Sequence, residues 1–225
     1  MSNKQNFQKN INAYLHFGHS SKEWTPKMAP YILYEKRGYH FFDLVKTKQL
    51  LEIAGNLLED YSKENKTILF VGTSKEAAPL IKKYALQTNS PYINSRWLGG
   101  MLTNWMTLQK RIERLVFLEN LIISSEFKTF LKKDQTKLVK EFTNLNKLFE
   151  GIKHMTKIPD IVVFTNQNKD LLAVYEALNL GIPAISLVDT NCDPTLIPYP
   201  IPTNNKSVFS LDFILKYLIN RIKPF

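Results

Sequence analysis

The sequence has little that would support a disulfide framework, a multi-cysteine metal site or a membrane span. Its 225 residues include one cysteine, Cys192, and eight glycines. A lone cysteine excludes an internal disulfide and a zinc site made of several thiolates, and no neighbouring base marks Cys192 as a nucleophile. No apolar run approaches the ~20 residues of a transmembrane helix, so no membrane association is expected. Residues 1–10 lack a signal-peptide core and a transit-segment composition, so we expect synthesis where the protein works.

Positive charge is the most informative feature of the composition. Lysine and arginine number 30 against 20 aspartate and glutamate residues, which gives a formal net charge of +10. A chain this basic with 44% hydrophobic residues is typical of a folded protein that meets a polyanion, either nucleic acid or an acidic membrane surface. A basic protein without a nucleic-acid partner is the alternative at this point.

Alternating strands and helices predict an α/β domain. Apolar strands are expected at 67–72, 159–166 and 182–191, with amphipathic helices at 74–87 and 169–181 between them. Strands that are apolar throughout indicate a parallel sheet with helices on both faces. A further strand and helix at 39–44 and 45–61, and a closing helix at 207–222, complete this pattern.

Residues 105–152 follow a different pattern, that of two narrow heptad seams. The apolar residues of the first seam are Trp105, Leu108, Ile112 and Leu115, and those of the second are Leu138, Phe142, Leu145, Phe149 and Ile152. We therefore predict an antiparallel coiled-coil hairpin inserted into an α/β globular domain formed by 1–104 and 153–225, with an N-terminal loop at 11–38 packing on that domain. The lysine-rich outside of the hairpin is either a solvated face or a partner-binding surface. The candidates for partner binding are Lys132, Lys133, Lys137 and Lys140.

Signals for nucleotide chemistry are weak. "ILFVGTSKEAAPLI" joins a strand to a helix through Gly72, but it lacks the second glycine of a phosphate loop and the G-x-G-x-x-G fingerprint. An ordinary strand-to-helix turn is the favoured interpretation. The alternative is a Rossmann-like nucleotide- or RNA-modifying enzyme with its site near Gly72, Asn166 and Asp189. No catalytic triad, carboxylate pair or metal-protease helix accompanies these residues, so we expect no enzyme activity.

The segment "LHFGHSSKEWTPKMAPYI" suggests two kinds of site. His16 and His19 are spaced as in metal sites, and Asp189 or Asp193 would complete a zinc site if the fold brought them near. The alternative is a pair of hydrogen-bonded histidines and no cofactor. In the same segment Lys22, Trp24, Lys27 and Tyr31 interleave cations with rings, as suits phosphate contact and base stacking.

A Gly-Gly pair flanked by tryptophan and arginine, "YINSRWLGGMLTNW", occupies residues 92–105. It fits a cofactor loop, a nucleic-acid contact or a tight corner between packed elements. We favour a corner, because glycine permits close approach and unusual φ values. Arg96 and Trp97 are its RNA-facing candidates, with burial of Trp97 as the alternative.

Several of these segments together resemble bacterial-type ribosomal protein S2. The resemblance covers residues 11–220 and rests on "HFGHSSKEWTPKMAPYI", "RWLGGMLTNW", "GIKHMTKIPDIVV", "LGIPAISLVDTNCDP" and "PIPTNN". It implies a flavodoxin-like sheet with a coiled-coil hairpin and a non-enzymatic role in the small ribosomal subunit. It also implies rRNA and neighbouring small-subunit proteins as partners, among them the multi-OB-fold protein that holds messenger RNA. No homo-oligomer is expected.

The residues expected to bind rRNA are the cations and rings within or beside these segments. They are Lys22, Trp24, Lys27, Arg37, Lys75, Arg96, Trp97, Lys110, Arg111 and Lys153. The acidic turn typical of the family is replaced at 202–206 by "PTNNK", which removes carboxylates from that turn. "LTNW" and "KIPDIV" resemble plastid versions, so a plastid ribosome is expected and a mitochondrial one is the alternative.

Overall fold

The computed structural model describes residues 14–222, and the strands within that range form two sheets. The smaller sheet is antiparallel and contains β1 (Phe17–Ser20), β2 (Ile32–Lys36) and β3 (Tyr39–Phe42) in the order β1-β3-β2. The larger sheet is parallel. Its strands are β4 (Ile68–Val71), β5 (Tyr92–Ile93), β6 (Ile161–Phe164), β7 (Ala184–Val188) and β8 (Tyr199–Pro202).

The parallel sheet has the order β5-β4-β6-β7-β8. Numbered by their appearance in the chain, these strands run 2-1-3-4-5, which is the flavodoxin-like order. The expected α/β fold with a parallel sheet is therefore confirmed.

Six α-helices lie among the described residues, and the first turns of two of them illustrate the local chemistry. They are α1 (Leu44–Lys63), α2 (Ala78–Gln87), α3 (Trp105–Ile123), α4 (Lys132–Phe149), α5 (Leu171–Asn179) and α6 (Val208–Ile219). Asp43 caps α1, because its carboxylate accepts a 2.9 Å hydrogen bond from the Val45 N–H. Pro79 lies in the first turn of α2, where the missing proline N–H costs no helical hydrogen bond.

The two faces of the parallel sheet bury alternate residues of each strand. Ile68 and Phe70 of β4 face a cluster that includes the buried sides of α1, α2 and α6. Leu69 and Val71 face the opposite cluster, which contains α3 and α5. Because a fully buried aliphatic or aromatic side chain stabilises the fold by about 1.5–3 kcal/mol, both layers contribute to holding the sheet.

Two sequence-based expectations about the sheets were wrong, and one strand was missed. The strand expected at 39–44 does not join the parallel sheet, because Arg37 and Gly38 have φ values of +53° and +76° and turn β3 back onto β2. Residues 11–38, expected as a loop, contain β1 and β2 within their described part. The strand β8 was missed because Pro200 and Pro202 argue against a strand in the sequence. Proline is nevertheless compatible with an edge strand, and β8 lies at the edge of the sheet.

Helices α3 and α4 pack against each other as an antiparallel pair joined by residues 124–131. Arg114 of α3 and Glu141 of α4, which lie equally far along the chain from that connection, form a bidentate ion pair at 2.9 and 3.0 Å. The buried side of α3 packs against the parallel sheet as well as against α4, because Leu108, Ile112 and Leu115 belong to the cluster on that sheet. The division of the chain into a globular domain and an insert stays a prediction. No helix within 14–222 is both long and apolar enough to span a bilayer.

Candidate nucleic-acid interface

One buried carboxylate organises the Gly-Gly corner. Glu176 of α5 accepts hydrogen bonds from the indole Nε1 of Trp97 at 3.0 Å and from the N–H groups of Gly100 and Leu102 at 2.8 and 2.9 Å. The N–H and hydroxyl of Thr103 donate to the same carboxylate at 3.2 and 3.3 Å. The N–H groups of Gly100, Leu102 and Thr103 are therefore already engaged and are not available to a phosphate or cofactor. The segment is a structural corner.

The ionisation of Glu176 follows from these contacts. Burial by itself raises the pKa of this carboxyl, but the hydrogen bonds from Trp97, Leu102, Gly100 and Thr103 outweigh burial and hold the pKa below its ordinary value. Sequence reasoning missed Glu176. The available signal was an acidic residue on the apolar face of its helix, beside the buried Ala173 and Ala177.

Three of the residues expected to bind RNA are buried or form an ion pair within the protein. Trp97 is only 7% exposed and donates to Glu176, so its ring offers no surface for base stacking. Lys27 lies 2.6 Å from the carboxylate of Asp193. Lys153 is half-buried, and its Nζ lies 2.8 Å from the carboxylate of Glu119.

Six of the expected cations remain exposed and form no ion pair with any residue in the described range. These are Lys22, Arg37, Lys75, Arg96, Lys110 and Arg111. Trp24 is half-buried, with its ring 4.9 Å from the ring of His40. The cations lie on the N-terminal segment, at the start of α2, before the corner and on α3. They form the candidate interface.

A small cleft of about 170 Å³ separates the corner from α3. Its lining includes Gly99, Gly100, Asn104, Thr107 and Arg111. Arg111 is the only cation of the ten rRNA candidates that lines it. The cleft therefore places an unpaired guanidinium beside the glycine pair.

A larger groove, of about 660 Å³, lies at the amino ends of β4 and β5. Its lysines include Lys153 and Lys157, and each forms an ion pair, with Glu119 and Asp160 respectively. Because carboxylates neutralise these cations, the larger groove attracts phosphate less than its size suggests.

The four zinc candidates do not come together. His19 and Asp189 are both buried, and Nδ1 of His19 lies 2.7 Å from Oδ1 of Asp189. Asp193 pairs instead with Lys27, and His16 stacks on a ring of β3. Within residues 14–222 no three histidine, cysteine, aspartate or glutamate side chains are grouped closely enough to hold a metal.

The strand ends that the enzyme alternative requires are tightly packed. A Cβ on Gly72 would lie 2.6 Å from Oγ1 of Thr165 and 2.8 Å from Ile81. Across this edge, the hydroxyl of Thr73 donates a 2.5 Å hydrogen bond to the carboxylate of Asp170, which is buried. Asn166 uses its side-chain oxygen to cap the turn before α5, accepting from the Lys169 N–H.

The lysines expected to bind a partner all lie exposed along α4. Lys132, Lys133 and Lys140 form no ion pair with any described residue, and Lys137 has only a 3.8 Å approach to Asp134. Large apolar side chains are exposed at the same end of the helical pair. Ile123 is 79% exposed and Leu131 is 75% exposed.

Comparison with known proteins agrees with this geometry. The family described as "Ribosomal protein S2" matches residues 11–223. The small ribosomal subunit protein uS2c of Oltmannsiellopsis viridis is 43% identical over 97% of this chain and 92% of its own length. The uS2c of Trieres chinensis is 44% identical over 94% of this chain and 93% of its own length. The uS2 of Picosynechococcus is 45% identical over 92% of this chain and 81% of its own length. The chain therefore belongs to the ribosomal protein S2 family.

Proposed function

We propose that this protein works in a plastid ribosome and binds small-subunit rRNA through its exposed, unpaired cations. As a bacterial-type member of the S2 family, the chain is a structural protein of the small ribosomal subunit and not an enzyme. The family match over residues 11–223 carries this conclusion, because it spans both the sheet and the helical pair. The relatives named uS2c and the cyanobacterial relative support the proposal of a plastid ribosome.

The physical basis of rRNA binding is neutralisation of phosphates. Each lysine or arginine that meets a phosphate releases condensed counterions, and the logarithm of the binding constant falls with the logarithm of salt by about 0.7–0.9 per contact. The unpaired cations are therefore expected to carry most of the salt dependence. Lys27 and Lys153 would contribute less, because each already neutralises a carboxylate.

Sedimentation tests the proposal directly. The tagged protein should travel with small ribosomal subunits isolated from plastids, and added salt should release it steeply. Recovery at the top of the gradient at physiological salt would contradict a ribosomal role. Recovery with mitochondrial subunits alone would contradict the plastid assignment and leave the ribosomal role intact.

The exposed apolar end of the helical pair favours a second contact, made with a neighbouring small-subunit protein. Ile123 and Leu131 offer apolar area, and the lysines along α4 offer charge for an acidic partner. The multi-OB-fold protein that holds messenger RNA is one candidate for this neighbour.

Charge reversal separates this contact from rRNA binding. Changing Lys132, Lys133, Lys137 and Lys140 together to glutamate should abolish capture of the neighbouring protein and leave rRNA crosslinks in place. The matched control reverses Lys22, Lys75 and Lys110, and should weaken rRNA binding instead. Loss of rRNA crosslinks in the first variant would place α4 in the RNA interface.

A further inference from the structure

We propose that the cleft between the Gly99–Gly100 corner and α3 binds a single backbone phosphate of RNA, held by the guanidinium of Arg111. The inference rests on the proposed rRNA-binding function and assigns one contact within it. Arginine suits this task because its planar fork can donate two parallel hydrogen bonds to a phosphate.

The size of the cleft matches a phosphate better than a base or a metabolite. Its volume is about 170 Å³. Pockets for drug-sized ligands begin at about 300 Å³. The cleft therefore accepts a phosphodiester group and leaves the attached nucleosides outside.

The polar groups along the cleft fall on one line of the α3 surface. Asn104 immediately precedes the helix, and Thr107 and Arg111 follow it at steps of three and four residues. Residues at this spacing lie on the same face of a helix, so all three line the cleft together. The glycine pair also lines the cleft, and φ of +88° at Gly100 bends the backbone there.

Three charged side chains of α3 have no ion-pair partner among the described residues: Lys110, Arg111 and Glu113. Arg114 is held by Glu141 at 2.9 Å, and Glu119 further along is held by Lys153 at 2.8 Å. Lys110 and Arg111 have no ion-pair partner in the described part of the chain, and of these two only Arg111 lines the cleft. Arg111 is thus the cation positioned to act there. Lys216 of α6, an exposed lysine outside the candidate interface, is its comparison.

The buried Glu176 decides which kind of phosphate enters. It accepts hydrogen bonds from the N–H groups of Gly100, Leu102 and Thr103, so these three donors are not free to hold an anion and the side chain of Arg111 must supply the main contact. Its negative charge also disfavours a free anion in the cleft. A phosphate that is presented by RNA bound elsewhere on the protein overcomes this cost, whereas inorganic phosphate does not.

Binding of the full chain to a small-subunit rRNA transcript over a series of KCl concentrations tests the inference. Arg111→Gln should weaken binding about tenfold and reduce the salt slope by about 0.7–0.9, the value of one lost phosphate contact. The matched control, Lys216→Gln on α6, removes an exposed cation outside the candidate interface that has no ion-pair partner among the described residues, and should change affinity about twofold or less. Thr107→Leu narrows the cleft without altering charge and should lower affinity with the fold intact. Millimolar inorganic phosphate should not raise the melting temperature of the wild type.

The outcomes distinguish this inference from the function on which it rests. Wild-type protein that fails to bind the transcript would overturn the rRNA-binding function, and the cleft assignment with it. Wild-type binding with equal effects of Arg111→Gln and Lys216→Gln would overturn the cleft alone. Stabilisation by inorganic phosphate that Arg111→Gln abolishes would replace the RNA phosphate with a free-anion site.

Discussion

The carboxylate of Glu176 and the indole Nε1 of Trp97 lie 3.0 Å apart, and their hydrogen bond joins α5 to the segment that leads into α3. The same carboxylate holds the N–H groups of Gly100 and Leu102. The start of α3, and with it the position of Arg111, therefore depends on one buried acidic side chain. The motif that suggested a ligand loop in the sequence is instead a structural corner that fixes the start of the helix carrying Arg111.

Replacing Glu176 with glutamine should destabilise the protein by about 2–3 kcal/mol. The glutamine amide keeps one acceptor oxygen but points an NH₂ group at backbone donors, which leaves at least one of them unsatisfied. Urea unfolding measures the change. Glu113→Gln, on the exposed side of α3, is the control and should stay within about 0.5 kcal/mol of the wild type. Equal stability of the two variants would show that the hydrogen bonds to Glu176 contribute nothing net.

The pH dependence of this effect has a definite sign. The pKa of Glu176 is lowered on folding, because hydrogen bonds outweigh burial. Its contribution to stability is therefore fully present above the unfolded pKa of about 4.3 and is lost as the pH falls through the folded value. The stability difference between wild type and Glu176→Gln should shrink on acidification below about pH 4.

The parallel sheet could be predicted because its evidence is local. Strands such as β6 are short apolar runs, and helices such as α5 carry their stop signal in Gly181, which adopts φ of +67°. The partners of charged groups are set by the fold and leave no local trace. Lys27 meets Asp193, which lies 166 residues further along the chain, and Glu176 receives donors from the corner more than 70 residues before it. Composition therefore overstated the number of cations available for RNA.

Relative to the wild type, Asp170→Asn should have a higher free energy of unfolding at neutral pH than it has at acid pH. Burial raises the pKa of Asp170 to about 6, although the hydroxyl and backbone N–H of Thr73 lower it in part. The unfolded carboxyl titrates near pH 3.9, so between about pH 4 and 6 the native state binds the extra proton. The unfolding free energy of the wild type consequently falls as the pH rises through this window.

Urea unfolding at pH 4 and pH 7 measures this difference. The stability of Asp170→Asn minus that of the wild type should rise by about 2–3 kcal/mol between the two values, since one pKa unit corresponds to about 1.4 kcal/mol. Asparagine retains an acceptor for the Thr73 hydroxyl, which is bonded to Oδ1 in the wild type. The exposed Asp60→Asn is the control and should show no such rise. A difference independent of pH would mean that Asp170 is ionised as readily in the folded state as in the unfolded one.

Two glycines that border the helical pair should respond in opposite ways to alanine. A Cβ on Gly151, just after α4, would lie 2.1 Å from the backbone carbonyl oxygen of Tyr92, and a backbone atom cannot move aside without displacing β5. A Cβ on Gly99 would make only an ordinary 3.6 Å contact with Leu172. Gly151→Ala should therefore cost about 3 kcal/mol or more, whereas Gly99→Ala should be neutral or stabilise the protein by up to about 1 kcal/mol.

Thermal and urea unfolding of the two variants provide the measurement, and rRNA binding gives a second readout. Gly151 packs the end of α4 against the edge strand β5. Gly151→Ala should therefore lower affinity for the transcript only indirectly, by unfolding the protein or by displacing the helical pair. Tyr92→Phe is the control. It keeps the backbone carbonyl that Gly151 contacts, so the packing of Gly151 against β5 should be the same as in the wild type. If Gly151→Ala proved as stable as Gly99→Ala, the close approach of residues 150–152 to β5 would be wrong, and α4 would be joined to the sheet in another way.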